Sequence, residues 1–212
     1  EKAPIIITTD LNTVVTFGKS EKLDKALEEA SGLAIDKNGL FWMHNDKGNN
    51  PVLFVVNAKG ETMKEILIPS VNNNDWEDLA KDANDNLYIG DFGNNDNDRT
   101  NLAIYKINAF SSIENTTTAP AVIEIEFEDQ TQFPPSDHAK HFDIEAFIAT
   151  EQKIYLFTKD RSNPFEGITK LYELPNSVGS HQAKLLATFN TANTKTTGAI
   201  TGATISPSGQ QL

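Results

Sequence analysis

The chain has 212 residues, with 30 acidic against 18 basic side chains and a formal net charge of -12. Such a surface repels nucleic-acid phosphates and anionic lipid. It contains no cysteine, which excludes disulfides, thiolate metal sites and cysteine nucleophiles. No apolar run approaches the roughly 20 residues of a membrane span, and 38% hydrophobic with 23% charged residues is an ordinary globular balance.

The chain opens Glu1-Lys2-Ala3-Pro4, which reads as a mature or trimmed segment whose targeting peptide has been removed. Ile5 to Phe17 is β-branched strand sequence, suited to closing the fold from its N-terminal side. Glu21 to Glu29 carries helix formers but is short, and leads into the first strand. Four segments then share one form: an apolar strand, a polar turn and a second apolar strand. They begin at Ser31, Glu77, Glu145 and Thr201. Their turns, among them Asn38-Gly39, Asn84-Asp85-Asn86 and Ser208-Gly209, use residues that tolerate positive φ. Each full repeat continues with two more strands: Val52 to Val56 and Met63 to Ile68, Leu102 to Ile107 and Ala121 to Phe127, Thr169 to Leu174 and Leu185 to Phe189.

Four antiparallel strands per unit predict an all-β fold, a β-propeller of four-stranded blades. Residues 1–30 are its closing strand and entry, 31–70, 75–128 and 142–190 are blades, and 199–212 starts the next. Three blades and a beginning fall short of a closed ring, so the propeller is expected to be incomplete in this chain. A β-sandwich is the alternative architecture, but it does not explain a strand-turn-strand signature recurring in phase.

Particular residues go beyond a generic repeat. Glu29-Ala30-Ser31-Gly32-Leu33-Ala34, Trp42-Met43-His44-Asn45-Asp46-Lys47-Gly48, Asp75-Trp76-Glu77-Asp78-Leu79-Ala80 and Tyr88-Ile89-Gly90-Asp91-Phe92-Gly93-Asn94-Asn95 resemble bacterial exported propellers akin to the SdiA-regulated and esterase-like (phytase-like) families. The resemblance implies a ring of about six blades and an extracytoplasmic location, whether periplasmic, cell-surface or secreted. The wider group includes calcium-dependent hydrolases and non-catalytic binding propellers. This chain lacks the phytase run of consecutive aspartates, and Ala146 follows Glu145 where enzyme relatives tend to carry Gly.

Two repeats carry the same Asp-X-Glu, at Asp75-Trp76-Glu77 and Asp143-Ile144-Glu145. Being in phase, Asp75, Glu77, Asp143 and Glu145 are expected to converge. Four carboxylates at one opening repel one another unless protonated or bridged by a cation. A hard, oxygen-seeking ion such as calcium resolves that, and solvated carboxylates capping strand ends are the structural alternative. A second group follows the second strands: His44, a candidate base or metal ligand, with Asp46, Asp91 and Asp160 as ligand-binding candidates. The oxygen-rich Asp91–Asp98 run is explained equally by a calcium loop and by local Asx turns. Trp42 and Trp76 are expected in the core. No nucleophile elbow, phosphate loop or zinc-protease motif is present. The expected function is a non-catalytic binding or scaffolding module for a small molecule, glycan or protein, with calcium as a possible stabiliser. The alternative is a calcium-dependent hydrolase of phosphoesters, lactones or related esters.

Overall fold

The polar turns of the repeats are held by single acids. Asp36 accepts the amides of Asn38 and Leu40 at 2.8 and 2.9 Å and the Trp42 indole at 3.2 Å. Asp82 repeats the device with the amides of Asn84 and Asn86 and the Tyr88 hydroxyl. Each acid thereby fixes a turn and seats an aromatic ring of the returning strand. The positive φ those turns need falls on Gly39 and Asp85. In the third repeat Thr150 takes over, its hydroxyl accepting the Lys153 amide.

A computed structural model describes residues 20–115, 117–191, 194 and 199–206 of this chain. The described residues form β1 (Ala30–Ile35), β2 (Phe41–Asn45), β3 (Val52–Val56), β4 (Thr62–Leu67), β5 (Trp76–Lys81), β6 (Leu87–Asp91), β7 (Leu102–Ile107), β8 (Ala121–Phe127), β9 (Asp143–Ala149), β10 (Lys153–Lys159), β11 (Ile168–Pro175) and β12 (Gly179–Asn190). The all-β class holds, and no helix among these residues is long and apolar enough to cross a membrane.

The propeller of separate four-stranded blades does not hold. β1 to β4 form one four-stranded sheet. The next eight strands form a single sheet in the order β5-β6-β7-β8-β12-β11-β10-β9. The join is a parallel pairing of β8 with β12, Ile123 opposite Gly179 through Phe127 opposite Ala183. Two outer edges that separate blades would leave unpaired satisfy each other instead. The end strands of this sheet, β5 and β9, also lie against each other, so the sheet curls into a nearly closed, barrel-like form. β12 has 12 residues and reaches well upstream of the expected Leu185 start.

Two cores follow from the alternation of side chains across the strands. Ala34, Trp42, Leu53, Val55 and Ile66 of the first sheet pack on Trp76, Leu79, Leu87 and Ile89 of the second. Tyr88, Phe92, Ile104, Ile123, Phe147, Leu156 and Tyr172 fill the curl of the eight-stranded sheet. Burying each such side chain contributes about 1.5–3 kcal/mol. Trp42 and Trp76 are core residues, as expected. β1 approaches β5 closely because Gly32 lacks a side chain: a Cβ there would lie 2.8 Å from the Leu79 nitrogen.

Residues Thr201 to Ser206 do not form a strand. Ile200, Ala203 and Ile205 instead pack on Ala146, Ile148, Phe157 and Leu171. The expected closing strand at Ile5 to Phe17 and the turn at Ser208-Gly209 lie outside the described residues.

Candidate functional site

β1, β5 and β9 lie side by side, β1 against β5 and β5 against β9. The Asp-X-Glu copies at the starts of β5 and β9 therefore meet. Ser31, in phase with the two glutamates, donates its hydroxyl to the Glu77 carbonyl at 2.7 Å. Asp46, from the loop after β2, completes a group with Asp75 and Glu77 in which one oxygen of each lies within 4.8 Å of the others.

Asp75 is 5% exposed, and its Oδ1 is buried without a hydrogen-bond partner among the described residues. Its Oδ2 pairs with Lys47 at 3.7 Å, a largely exposed lysine. Burial, and next the charge of Glu145, Asp46, Asp75 and Asp143, push the Glu77 carboxyl up to about 9. Glu77 is therefore protonated at neutral pH in the cation-free protein. Burial also raises Asp75. Gly93 faces both acids, and a Cβ on it would lie 2.3 Å from Glu77 Oε1 and 2.7 Å from Asp75 Oδ2. The missing side chain lets both carboxylates pack directly against the Gly93 backbone.

The β9 copy has different surroundings. Arg161 reaches Asp143 Oδ2 at 2.5 Å through Nε and Glu145 Oε1 at 2.7 Å through Nη2. Lys159 adds a contact of 2.8 Å to the same Glu145 oxygen. The Asn94 amide donates to Asp143 Oδ1. The four expected metal acids are thus neighbours, but two of them are held by protein cations.

The other candidates are buried, the two aspartates engaged by their own loops and His44 with its Nε2 lacking a hydrogen-bond partner among the described residues. His44 has no exposed surface. It stacks edge-on against Trp76 at 5.4 Å, and its Nδ1 lies 2.9 Å from the Asn45 carbonyl. Burial drives its pKa down to about 4, so it is neutral and sealed from solvent, unlike an accessible base. Asp91 is fully buried and binds Asn74, the Asp75 amide, Tyr105 and Arg99. Asp160 accepts the amides of Ser162, Glu166, Gly167 and Ile168. Burial alone would raise its pKa, but these donors outweigh it and hold the carboxyl low. Both aspartates organise loops with the oxygens expected to face a ligand.

The Asp91–Asp98 run is tied to the entry of β9 by long-range side-chain bonds. Asn94 and Asn97 are buried, and they bond to the Phe142 carbonyl and amide at the entry to β9. Sequence reasoning grouped Lys159 with Asp160 but missed Gly93 and Arg161 as parts of the site. The available signal was a lysine and an arginine flanking Asp160, directly after a strand that pairs with an Asp-X-Glu strand. It also missed Asp78, whose carboxyl burial pushes up to about 7. Asp78 accepts the Leu79 and Phe147 amides and so ties β5 to β9. No family model and no curated protein matches this chain.

Proposed function

We propose that this protein is a non-catalytic binding module whose ligand face is organised by a calcium ion held between Asp46, Asp75 and Glu77. The observation that carries the reading is the Asp75 carboxylate. One of its oxygens is buried without a hydrogen-bond partner among the described residues, grouped with Asp46 and Glu77 and packed against Gly93. An unpaired buried carboxylate oxygen is costly to leave unsatisfied, and a hard divalent cation satisfies it together with its neighbours. Few protein ligands make a weak site, in the range of ~10⁻⁴–10⁻³ M seen in extracellular modules. That range fits an extracytoplasmic setting, where the bound partner would be a small molecule, glycan or protein. A hydrolase reading has less support, since it needs a base other than the sealed His44.

Thermal denaturation in chelator and in calcium tests this. A ligand that binds only the folded state at about 100 times its Kd adds about 2.7 kcal/mol, a rise of roughly 5–10 °C for a domain of this size. An unchanged melting temperature across that range of calcium defeats the reading.

Gly93→Ala gives a sharper expectation. Gly93 is not in the left-handed region, and the atoms its Cβ would meet are the ends of carboxylate side chains. The variant should melt somewhat below wild type in chelator, because the buried Asp75 must shift, and bind calcium at least about tenfold more weakly, or about 1.4 kcal/mol. Calorimetric titration reads this directly, and wild-type affinity in the variant would move the ion away from Gly93.

A further inference from the structure

We infer that Arg161 is a built-in substitute for a second cation, filling the Asp143–Glu145 copy of the acidic pair so that the cluster takes only one exchangeable ion. The inference rests on the calcium reading above for the other copy. The two copies start in-phase strands and carry the same acids. What differs is the group set between their carboxylates.

At β9 a guanidinium spans both acids, with one nitrogen on Asp143 and another on Glu145. The two-point grip suits the planar fork of arginine, which carries its charge at every accessible pH. Asp143 has no exposed surface, and its second oxygen takes the Asn94 amide. This copy is neutralised and hydrogen-bonded from within. At β5 the residue facing the acids is Gly93, which has no side chain to offer. The nearest positive group there is Lys47, at 3.7 Å and 55% exposed. One copy therefore holds a permanent cation supplied by the chain, and the other keeps a buried carboxylate oxygen that no group among the described residues satisfies. The arrangement also has an electrostatic reason. Two divalent ions in adjacent copies would repel each other strongly at this range, whereas one ion beside a single fixed charge repels less.

Calcium stoichiometry by calorimetric titration tests the inference, run on wild type, Arg161→Gln and Lys159→Gln, with melting temperatures in chelator and in calcium. Wild type should bind one ion. Arg161→Gln should bind one more than wild type, the second more weakly than the first because the two ions repel, melt several degrees lower in chelator and recover in calcium. Lys159→Gln, which keeps the guanidinium, should match the wild-type count. The inference fails if folded Arg161→Gln binds no more ions than wild type, or if it stays unfolded in saturating calcium, because calcium should then replace the lost charge. It fails equally if Lys159→Gln gains an ion. Should wild type bind none, the β5 reading falls by itself, and the Arg161→Gln count, one ion or none, still decides the role of Arg161.

Discussion

Calcium added to the chelated protein at pH 7 should release about one proton per ion bound. Glu77 carries that proton, because burial and four neighbouring carboxylates push it up to about 9, and a metal-bound carboxylate must be ionised. Titration calorimetry in buffers of different ionisation enthalpy measures the release as the slope of apparent against buffer enthalpy. A slope near zero would count against Glu77 as a ligand. The same group sets the pH dependence of the cation-free protein. Its folded pKa lies above the ordinary 4.5. Its contribution to stability is therefore complete below about pH 4.5 and is lost as pH rises towards about 9. For one proton the loss is at most about 1.4 kcal/mol per pH unit. Calcium should flatten that decline. Glu77→Gln, which imitates the neutral acid without the cost of taking up a proton, should melt above wild type in chelator at pH 7, match it near pH 4.5, vary less with pH, and gain no stability from calcium.

Asp91→Ala should cost about 3–5 kcal/mol, the loss expected when one partner of a buried ion pair is removed. The carboxylate holds Arg99 at 3.0 Å, Asn74 at 2.6 Å, the Tyr105 hydroxyl at 2.9 Å and the Asp75 amide at 3.1 Å. Removing it leaves an arginine, an amide side chain, a backbone donor and a phenol in a closed space. Tyr105 adds to the cost, since burial and then the Asp91 charge already make it reluctant to ionise, so its hydroxyl stays a donor in want of an acceptor. Denaturant unfolding would read the loss, equivalent to a fall of roughly 10 °C in melting temperature. Asp91→Asn, which keeps one acceptor oxygen, should fall between. Because Asp91 fixes the Asp75 amide, Asp91→Ala should also weaken calcium binding. A loss under about 1 kcal/mol would mean that surrounding water replaces these bonds.

Local structure was legible in the sequence wherever one segment decides it. Asp36-Lys37-Asn38-Gly39 and Asp82 to Asn86 announce their turns, and the apolar runs around them become strands. The convergence of the two Asp-X-Glu copies was readable because they recur in phase. The grouping of strands into sheets was not. Asn176 to Lys184 is polar and shows no alternation, yet it becomes strand from Gly179 because β8 presents a free edge to it. Tertiary pairing overrode a weak local signal. Asp91, Asp160 and His44 show a second limit. A polar side chain after a strand reads the same whether it faces solvent or its own loop's amides, and only the three-dimensional register separates the two. Arg161 was missed for the same reason, since its partners stand 16 and 18 residues away in sequence.

The parallel pairing of β8 with β12 also has a consequence in time. β8 is translated well before β12, so during synthesis it waits with one flank bare. A bare, apolar strand is a template for aggregation. β8 alternates Ile123, Ile125 and Phe127 with Glu124 and Glu126, and both glutamates are exposed in the finished sheet. Their charge makes self-association of nascent chains unfavourable until the correct partner arrives. The two acids act as gatekeepers of a join that only β12 completes.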